Sequence, residues 1–426
     1  MKILFIYPKF IKYLEQYAST LGHFLGDRPR DTANIGKFNA PPALAIPYLT
    51  AVTPKQHTWE FVNDNIETLN YETDADVIAI SFFTPQATRA YAICQEFKKR
   101  NKLVVVGGMH PSICPQEAME YANIVCAGEG ELCWPEILSD IATKSYKKLY
   151  IARQAVDLET LPLPNRFIYY RSRDLYNWKA DIVQVARGCS MLCQQCIIPC
   201  VFGKEVRFQA IERVLQDIRA LEFETFYLAD DQIFDPNPTA EEYAFRLFHS
   251  FKEAKINKQI FVNTAPSLNH NPKLLKLMGE AGVNTFYSTI GFDPISQNAL
   301  LKGRKNLKAK IIDEVKNVQD AGMLFFASFP IGLDEHTSDI KHILLDFCLE
   351  AKIALAEFFL VTPLPGTQMW KRLEKENRIL HKCWEKYNGA EVTFLPRHMT
   401  AEALMSIYIE LWQEFPKVSC LVSSQR

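Results

Sequence analysis

Two series of short apolar runs, each followed by a helical periodicity, constrain this chain more than any other feature of its sequence. In the first series the runs are 3–7, 58–62, 76–81, 103–106 and 124–127, with helical patterns opening over 39–49 and covering 87–100. Strands alternating with helices in this way predict an open parallel α/β sheet. Such sheets hold ligands outside the carboxyl ends of their strands, where Ser81, Gly107-Gly108 and Gly128 fall. Glycine at those ends lets a bulky ligand approach the backbone. The second series begins at Asp181, with strands expected at 182–186, 225–229, 259–263, 285–290, 324–330 and 357–362. Helices are expected between them at 213–221, 272–281 and 307–321. Six strand–helix units predict a partial (β/α)6 barrel, whose chemistry gathers at the C-terminal ends of its strands.

The punctuation of the chain divides it further. Residues 151–180 carry few periodic signals, and Leu161-Pro162-Leu163-Pro164 is read as a connector laid over the surface. The expected organisation is therefore 1–150, a connector at 151–180, a barrel at 181–370 and a helical segment at 371–426. That last segment is rich in aromatics, and 400–415 is expected to be an amphipathic helix with a Thr–Glu start signal.

Arg187-Gly188-Cys189-Ser190-Met191-Leu192-Cys193-Gln194-Gln195-Cys196 follows the first strand of the second series. Thiolates this close together on a loop leaving a strand can hold three irons of a [4Fe–4S] cube and leave the fourth open, since a fourth cysteine ligand is missing. A zinc site is the alternative, with Cys200 as a possible fourth ligand behind Pro199, although zinc sites normally pair two separate Cys-x2–4-Cys units.

Charge decides several exclusions. The chain has 48 Lys and Arg against 49 Asp and Glu, a net charge of −1. A nucleic-acid partner is not expected, because its footprint is a basic surplus. No run reaches the ~18–20 apolar residues of a membrane span. The apolar stretch at the N-terminus is too short for a signal peptide. Eleven cysteines without an export signal suit a reducing, cytoplasmic setting.

The Cys-x3-Cys-x2-Cys pattern resembles the radical S-adenosylmethionine (SAM) superfamily, and nearly the whole chain resembles its cobalamin-dependent branch. The resemblance implies Cys189, Cys193 and Cys196 as ligands of a [4Fe–4S] cluster whose open iron takes SAM. The family usually has an aromatic residue before the last cysteine; here it is Gln195, so any contact there is polar. Asp230-Asp231 stands where relatives place groups near the methionyl amine, with a helix cap as the alternative. Thr264, Ser288 and Ser328 are candidate contacts to the SAM carboxylate or ribose, or else buried hydroxyls. Asp293 replaces a customary glutamate, and the turn holding Pro363 is expected beside the adenine. Glu335 is read as starting the next helix.

The first half resembles the cobalamin-binding domain of the same enzymes. The residues that carry this are Pro41 and Pro42, Ser81 with Thr84, Gly107-Gly108 with His110, and Gly128-Glu129-Gly130-Glu131. In the family these loops contact the corrin edge and hold the nucleotide tail. His23 matches half of the Asp-x-His-x-x-Gly cobalt-ligand motif, but Leu21 replaces its aspartate, so no histidine is expected on cobalt. A nucleotide-binding or flavodoxin-like sheet is the plainer alternative, though no strand leads into Gly-x-Gly-x-x-Gly.

The resemblance implies a methyltransferase that moves a methyl group from methylcobalamin to an unactivated carbon or phosphorus of a small metabolite or peptide through a 5′-deoxyadenosyl radical. It implies a flavodoxin- or ferredoxin-type reductant as partner. A cobalamin-assisted rearrangement, cyclisation or oxidation without methyl transfer remains open, as does a non-catalytic corrinoid carrier.

Overall fold

The computed structural model describes residues 1–9, 43–176, 178–191, 193–228, 238–264, 271–291, 300 and 305–424. Pro41, Pro42, His23, Asp230, Asp231 and Asp293 lie outside the described residues.

Six strands form the first sheet: β1 (Lys2–Tyr7), β2 (Thr58–Asn63), β3 (Val77–Ser81), β4 (Leu103–Gly107), β5 (Ile124–Ala127) and β6 (Leu149–Ile151). All pair in parallel, in the order β2-β1-β3-β4-β5-β6. Because helices cover both faces, the central strands are apolar at every position rather than alternating. In β1, Ile3 and Phe5 pack with Ile46 and Trp134 of helices Ala45–Val52 and Gly130–Ala142. Leu4 and Ile6 face the other way, with Ala90, Ile93 and Phe97 of helix Ala87–Lys99. The strand order reverses between β1 and β3, which opens a crevice at their carboxyl ends.

The second sheet has β7 (Ala180–Val183), β10 (Thr225–Leu228), β11 (Gln259–Thr264), β12 (Val283–Thr289), β13 (Leu324–Ile331) and β14 (Leu355–Leu360), parallel and in sequence order. Here β7 and β14 are its two edges, so the barrel is partial, as expected. Side chains alternate across it. Phe226, Ile260, Val262, Phe286 and Phe325 face the helices. Tyr227, Phe261, Tyr287 and Phe326 meet on the inner side, with Phe261 ring-to-ring against each of the other three. Among the described residues no helix is long and apolar enough to cross a membrane.

Four expectations need correction. The strand expected at 182–186 ends at Val183. Ala186–Arg187 (β8) instead pairs antiparallel with Arg207–Phe208 (β9). The backbone between them is taken up by Gln209, whose N–H and side-chain amide donate to the Val185 and Gln184 carbonyls at 2.8 and 2.6 Å. The connector is not simply laid over the surface. Val156, Leu158 and Leu161 are buried against Leu44 and Tyr48, and Arg166 is buried in an ion pair with Asp217. Glu335 does not start a helix, which begins at Ile340. The last helix runs Ala401–Ser424, well past residue 415. Its start does follow the expected signal, because the Thr400 hydroxyl accepts the Ala403 N–H at 3.2 Å.

Candidate functional site

The cysteine loop leaves the carboxyl edge of the second sheet and is held by its own hairpin. Gly188 has φ +96°, and a Cβ there would lie 2.1 Å from the Glu205 carbonyl oxygen, so only glycine lets the chain turn into Cys189. Cys189 is buried, and Cys193 and Cys196 are half-buried. All eleven cysteines are described, and no disulfide joins them. Cys200 is exposed and directs its thiol to the Gly366 carbonyl at 3.7 Å. The loop is also tied at its far end, where Gln194 accepts the Met369 N–H at 2.9 Å. Gln195 is buried within it.

Arg187, two residues before Cys189, reaches the other sheet. Its guanidinium donates to Glu129 at 2.6 Å and Glu131 at 3.0 Å, with Gln184 also at 3.0 Å. Arg207, its cross-strand partner in the hairpin, donates to Glu129 at 2.7 Å. Burial by itself would discharge Arg187, but the carboxylates of Glu131 and Glu129 outweigh it and raise its pKa. The Gly128–Glu131 loop of the first sheet and the cysteine loop of the second are thus joined by charge-assisted bonds.

That acidic loop is one wall of a cavity of about 260 Å³ at the crevice between β1 and β3. Ser81, Gly107, Gly108, Gly128 and Glu129 all line it, together with Tyr7, Leu44, Phe82 and Trp134. Ile182, Gln184, Arg187 and Phe202 close it from the second sheet. Gly108 has φ +98°, and an added Cβ would sit 2.8 and 2.9 Å from Phe82 backbone atoms. The Ser112 hydroxyl joins two glycine turns by accepting the Gly128 N–H at 2.9 Å and donating to the Gly108 carbonyl at 2.7 Å. Apolar side chains facing bare glycine backbone suit a flat organic group, and the Glu129 carboxylate in the wall is already engaged by Arg187 and Arg207.

The other expected contacts are distributed differently. His110 and Thr84 meet at 3.2 Å but are buried and absent from the cavity wall. Thr264 and Ser288 share the helix-facing side of their strands, where Ser288 donates to the Thr264 carbonyl at 2.6 Å. Ser328 faces inward and donates to Glu357 at 2.7 Å. Pro363 is buried in the turn before Thr367, whose hydroxyl accepts the Trp370 N–H and caps helix Gln368–Lys375. Sequence reasoning did not single out Arg187, Arg207 or Glu357. The acidic Gly-Glu-Gly-Glu loop and the Arg-Gly-Cys start were visible as opposite charges, but nothing local pairs residues that far apart. Glu357 gave no signal at all.

Comparison with known proteins bears on both halves. Residues 49–138 match the B12 binding domain family, and residues 367–416 match a domain of unknown function (DUF4070). The bacteriochlorophyllide d C-8(2)-methyltransferase of Chlorobaculum tepidum is 28% identical over 364 residues, covering 81% of this chain and 79% of that enzyme. The hopanoid C-2 methylase of Rhodopseudomonas palustris is 23% identical over 410 residues, covering 93% and 74%. In fold, the chain superposes on the radical SAM methyltransferase TsrM from Kitasatospora setae, solved with cobalamin and a [4Fe–4S] cluster. That match has a TM-score of 0.65 and 12% identity, over 100% of this chain and 99% of that one.

The chain thus carries a B12 binding match and shares the fold of a radical SAM methyltransferase that holds cobalamin and a [4Fe–4S] cluster. The B12 binding match lies on the first sheet and the cysteine trio on the loop leaving the second, so the cofactors of that neighbour, cobalamin and a [4Fe–4S] cluster, can be tested against each. The residues present fit that set: a trio of thiols without disulfides on one loop, and a glycine-walled apolar cavity beside it. Arg187 bridges the cysteine loop and the Gly128–Glu131 loop.

Proposed function

We propose that this chain is a methyltransferase that places a methyl group on an unactivated carbon or phosphorus of a small molecule. The observation that carries this reading is the bond from Arg187 to Glu129 and Glu131, which sets the cysteine loop against the wall of the B12-domain cavity. Relatives that bear methyltransferase names over most of this chain support it.

When bound, the cluster and SAM supply a 5′-deoxyadenosyl radical, and cobalamin supplies the methyl group. The chain's own residues position and shield. Cys189, Cys193 and Cys196 would hold three irons of the cluster and leave one open for SAM. Ser81, Gly107, Gly108, Gly128 and Glu129 cradle the cobalamin side. Arg187 keeps the two loops in register, which matters because reacting groups must stay within a few tenths of an ångström of their productive arrangement.

The inner aromatic surface of the barrel, with Tyr227, Phe261, Tyr287 and Phe326, forms an apolar floor that excludes water. Glu357 is set into that floor, accepting from Tyr287 at 2.5 Å and from Ser328. Burial raises its pKa against the opposing effect of those two bonds. A floor of this kind favours a flat, largely apolar metabolite over a peptide. The electron comes from a flavodoxin- or ferredoxin-type reductant, in a cytoplasmic setting.

The test is anaerobic reconstitution followed by iron and cobalamin analysis, then incubation with SAM carrying a deuterated methyl group. About four irons and one cobalamin per chain, 5′-deoxyadenosine release and label in the product are expected. Iron without cobalamin would end the methyltransferase reading. Deoxyadenosine with an unlabelled product would instead indicate a radical rearrangement.

A further inference from the structure

A second cluster of metal-ligating side chains lies outside the cavity, on the short helices Met109–Ile113 and Pro115–Tyr121 and at Cys114 between them. One ligand atom each from His110, Cys114 and Glu117 lies within 4.8 Å of the others. The His110 Nε2 to Glu117 Oε1 distance is 3.4 Å. That is long for a charge-assisted hydrogen bond. It equals the edge, about 3.4 Å, of a tetrahedron of nitrogen and oxygen ligands around zinc.

The surroundings are those of a supported site. Thr84 Oγ1 lies 3.2 Å from His110 Nδ1 and fixes the ring, leaving Nε2 toward the cluster. The Trp384 indole donates to Glu117 Oε1 at 2.8 Å, and a carboxylate has lone pairs left for a cation. The Tyr91 hydroxyl, on a residue only 6% exposed, makes no hydrogen bond shorter than 3.5 Å and stands beside Glu117, where a water on a bound cation would give it a closer partner. Glu117 also borders an open surface cleft with Glu120, Tyr121 and Lys382, so a fourth position is reachable from solvent.

We propose that His110, Cys114 and Glu117 bind a divalent cation of the zinc class, with a water in the fourth position beneath Tyr91. One imidazole, one thiolate and one carboxylate make a borderline donor set, which suits zinc over magnesium or calcium. The ion ties the helices after β4 to Trp384 of the C-terminal segment and holds that segment against the first sheet. It takes no part in the chemistry of the cavity.

The experiment uses full-length protein already carrying its cluster and cobalamin, exposed to one equivalent of zinc and desalted before metal analysis. One zinc per chain is expected in the wild type, with affinity at least tenfold weaker in Cys114→Ser and Glu117→Gln. Trp384→Phe is expected to weaken it by about tenfold through the lost orienting bond. Unchanged iron and cobalamin in each variant verify that it folds. Less than a tenth of an equivalent of zinc in the wild type overturns the proposal. Equal retention by Cys114→Ser does so too, marking an adventitious ion only.

Discussion

Replacing Arg187 by methionine isolates the bridge between the two cofactor loops. The Arg187 side chain is 4% exposed, as is Glu129, and Glu131 is 9% exposed. Removing one partner of a buried pair costs about 3–5 kcal/mol, because the other charge is stranded. Glu129 keeps Arg207 at 2.7 Å, so only Glu131 is left alone and the low end, about 3 kcal/mol, applies. Glu131 can relieve itself only by turning to water, which opens the cavity wall. If half of that cost appears in binding, about 1.5 kcal/mol, cobalamin affinity falls about tenfold. Absorbance titration of Arg187→Met with cobalamin reads this directly. Adding Glu131→Gln removes the stranded charge and is expected to restore most of the affinity. A variant that binds cobalamin within twofold of wild type, unaffected by Glu131→Gln, would refute the reasoning.

Other outcomes follow from the same geometry. Alanine at Cys189, Cys193 or Cys196 is expected to abolish cluster iron after reconstitution, while Cys200→Ala retains it, as read by iron and sulfide analysis. Gly108→Ala forces a Cβ to within 2.9 Å of backbone at positive φ and is expected to cost about 2–3 kcal/mol and cobalamin affinity. Gly203→Ala, at φ +86° with open space around it, costs about 1 kcal/mol and leaves binding intact. His336 is buried, its Nδ1 accepts the Gly332 N–H at 3.1 Å, and burial pushes its pKa from 6.5 down to about 4. The unfolded chain therefore takes up the proton first. Stability is full above pH 6.5 and declines as pH falls toward 4, by up to about 3 kcal/mol, and urea titrations of His336→Gln lose that slope. Glu357→Leu strands the Tyr287 and Ser328 donors at about 1–3 kcal/mol each, whereas Glu357→Gln keeps an acceptor and costs less, measured by thermal unfolding.

Strand and helix alternation was legible because buried parallel strands are continuous apolar runs, and the runs ending at Ser81, Val106 and Ala127 needed no tertiary knowledge. Where backbone partners came from far away, the sequence misled. The strand before the cysteines breaks at Gln184 because Gln209, from the far arm of the hairpin, captures its carbonyl. The connector carries Arg166, whose burial is explained only by Asp217 on a later helix. The glycine-lined wall was readable from residues at strand ends, since a ligand's approach leaves a local mark. The ion bridge was not, because ionic partners on different sheets leave no periodic signature. Ser288 and Thr264 sit at the right strand ends but on the helix-facing side, a distinction that a one-residue register change decides.

The bond from the Met369 N–H to the Gln194 carbonyl also has a consequence in time. A chain made from its N-terminus presents the cysteine loop long before residue 369 leaves the ribosome, so the loop first exists without its far anchor. A cluster inserted at that stage would sit on a loop that still lacks this anchor. Stable retention of iron is therefore expected to need the C-terminal segment closed on the barrel. Truncation ahead of residue 369 should yield protein that loads iron and then sheds it.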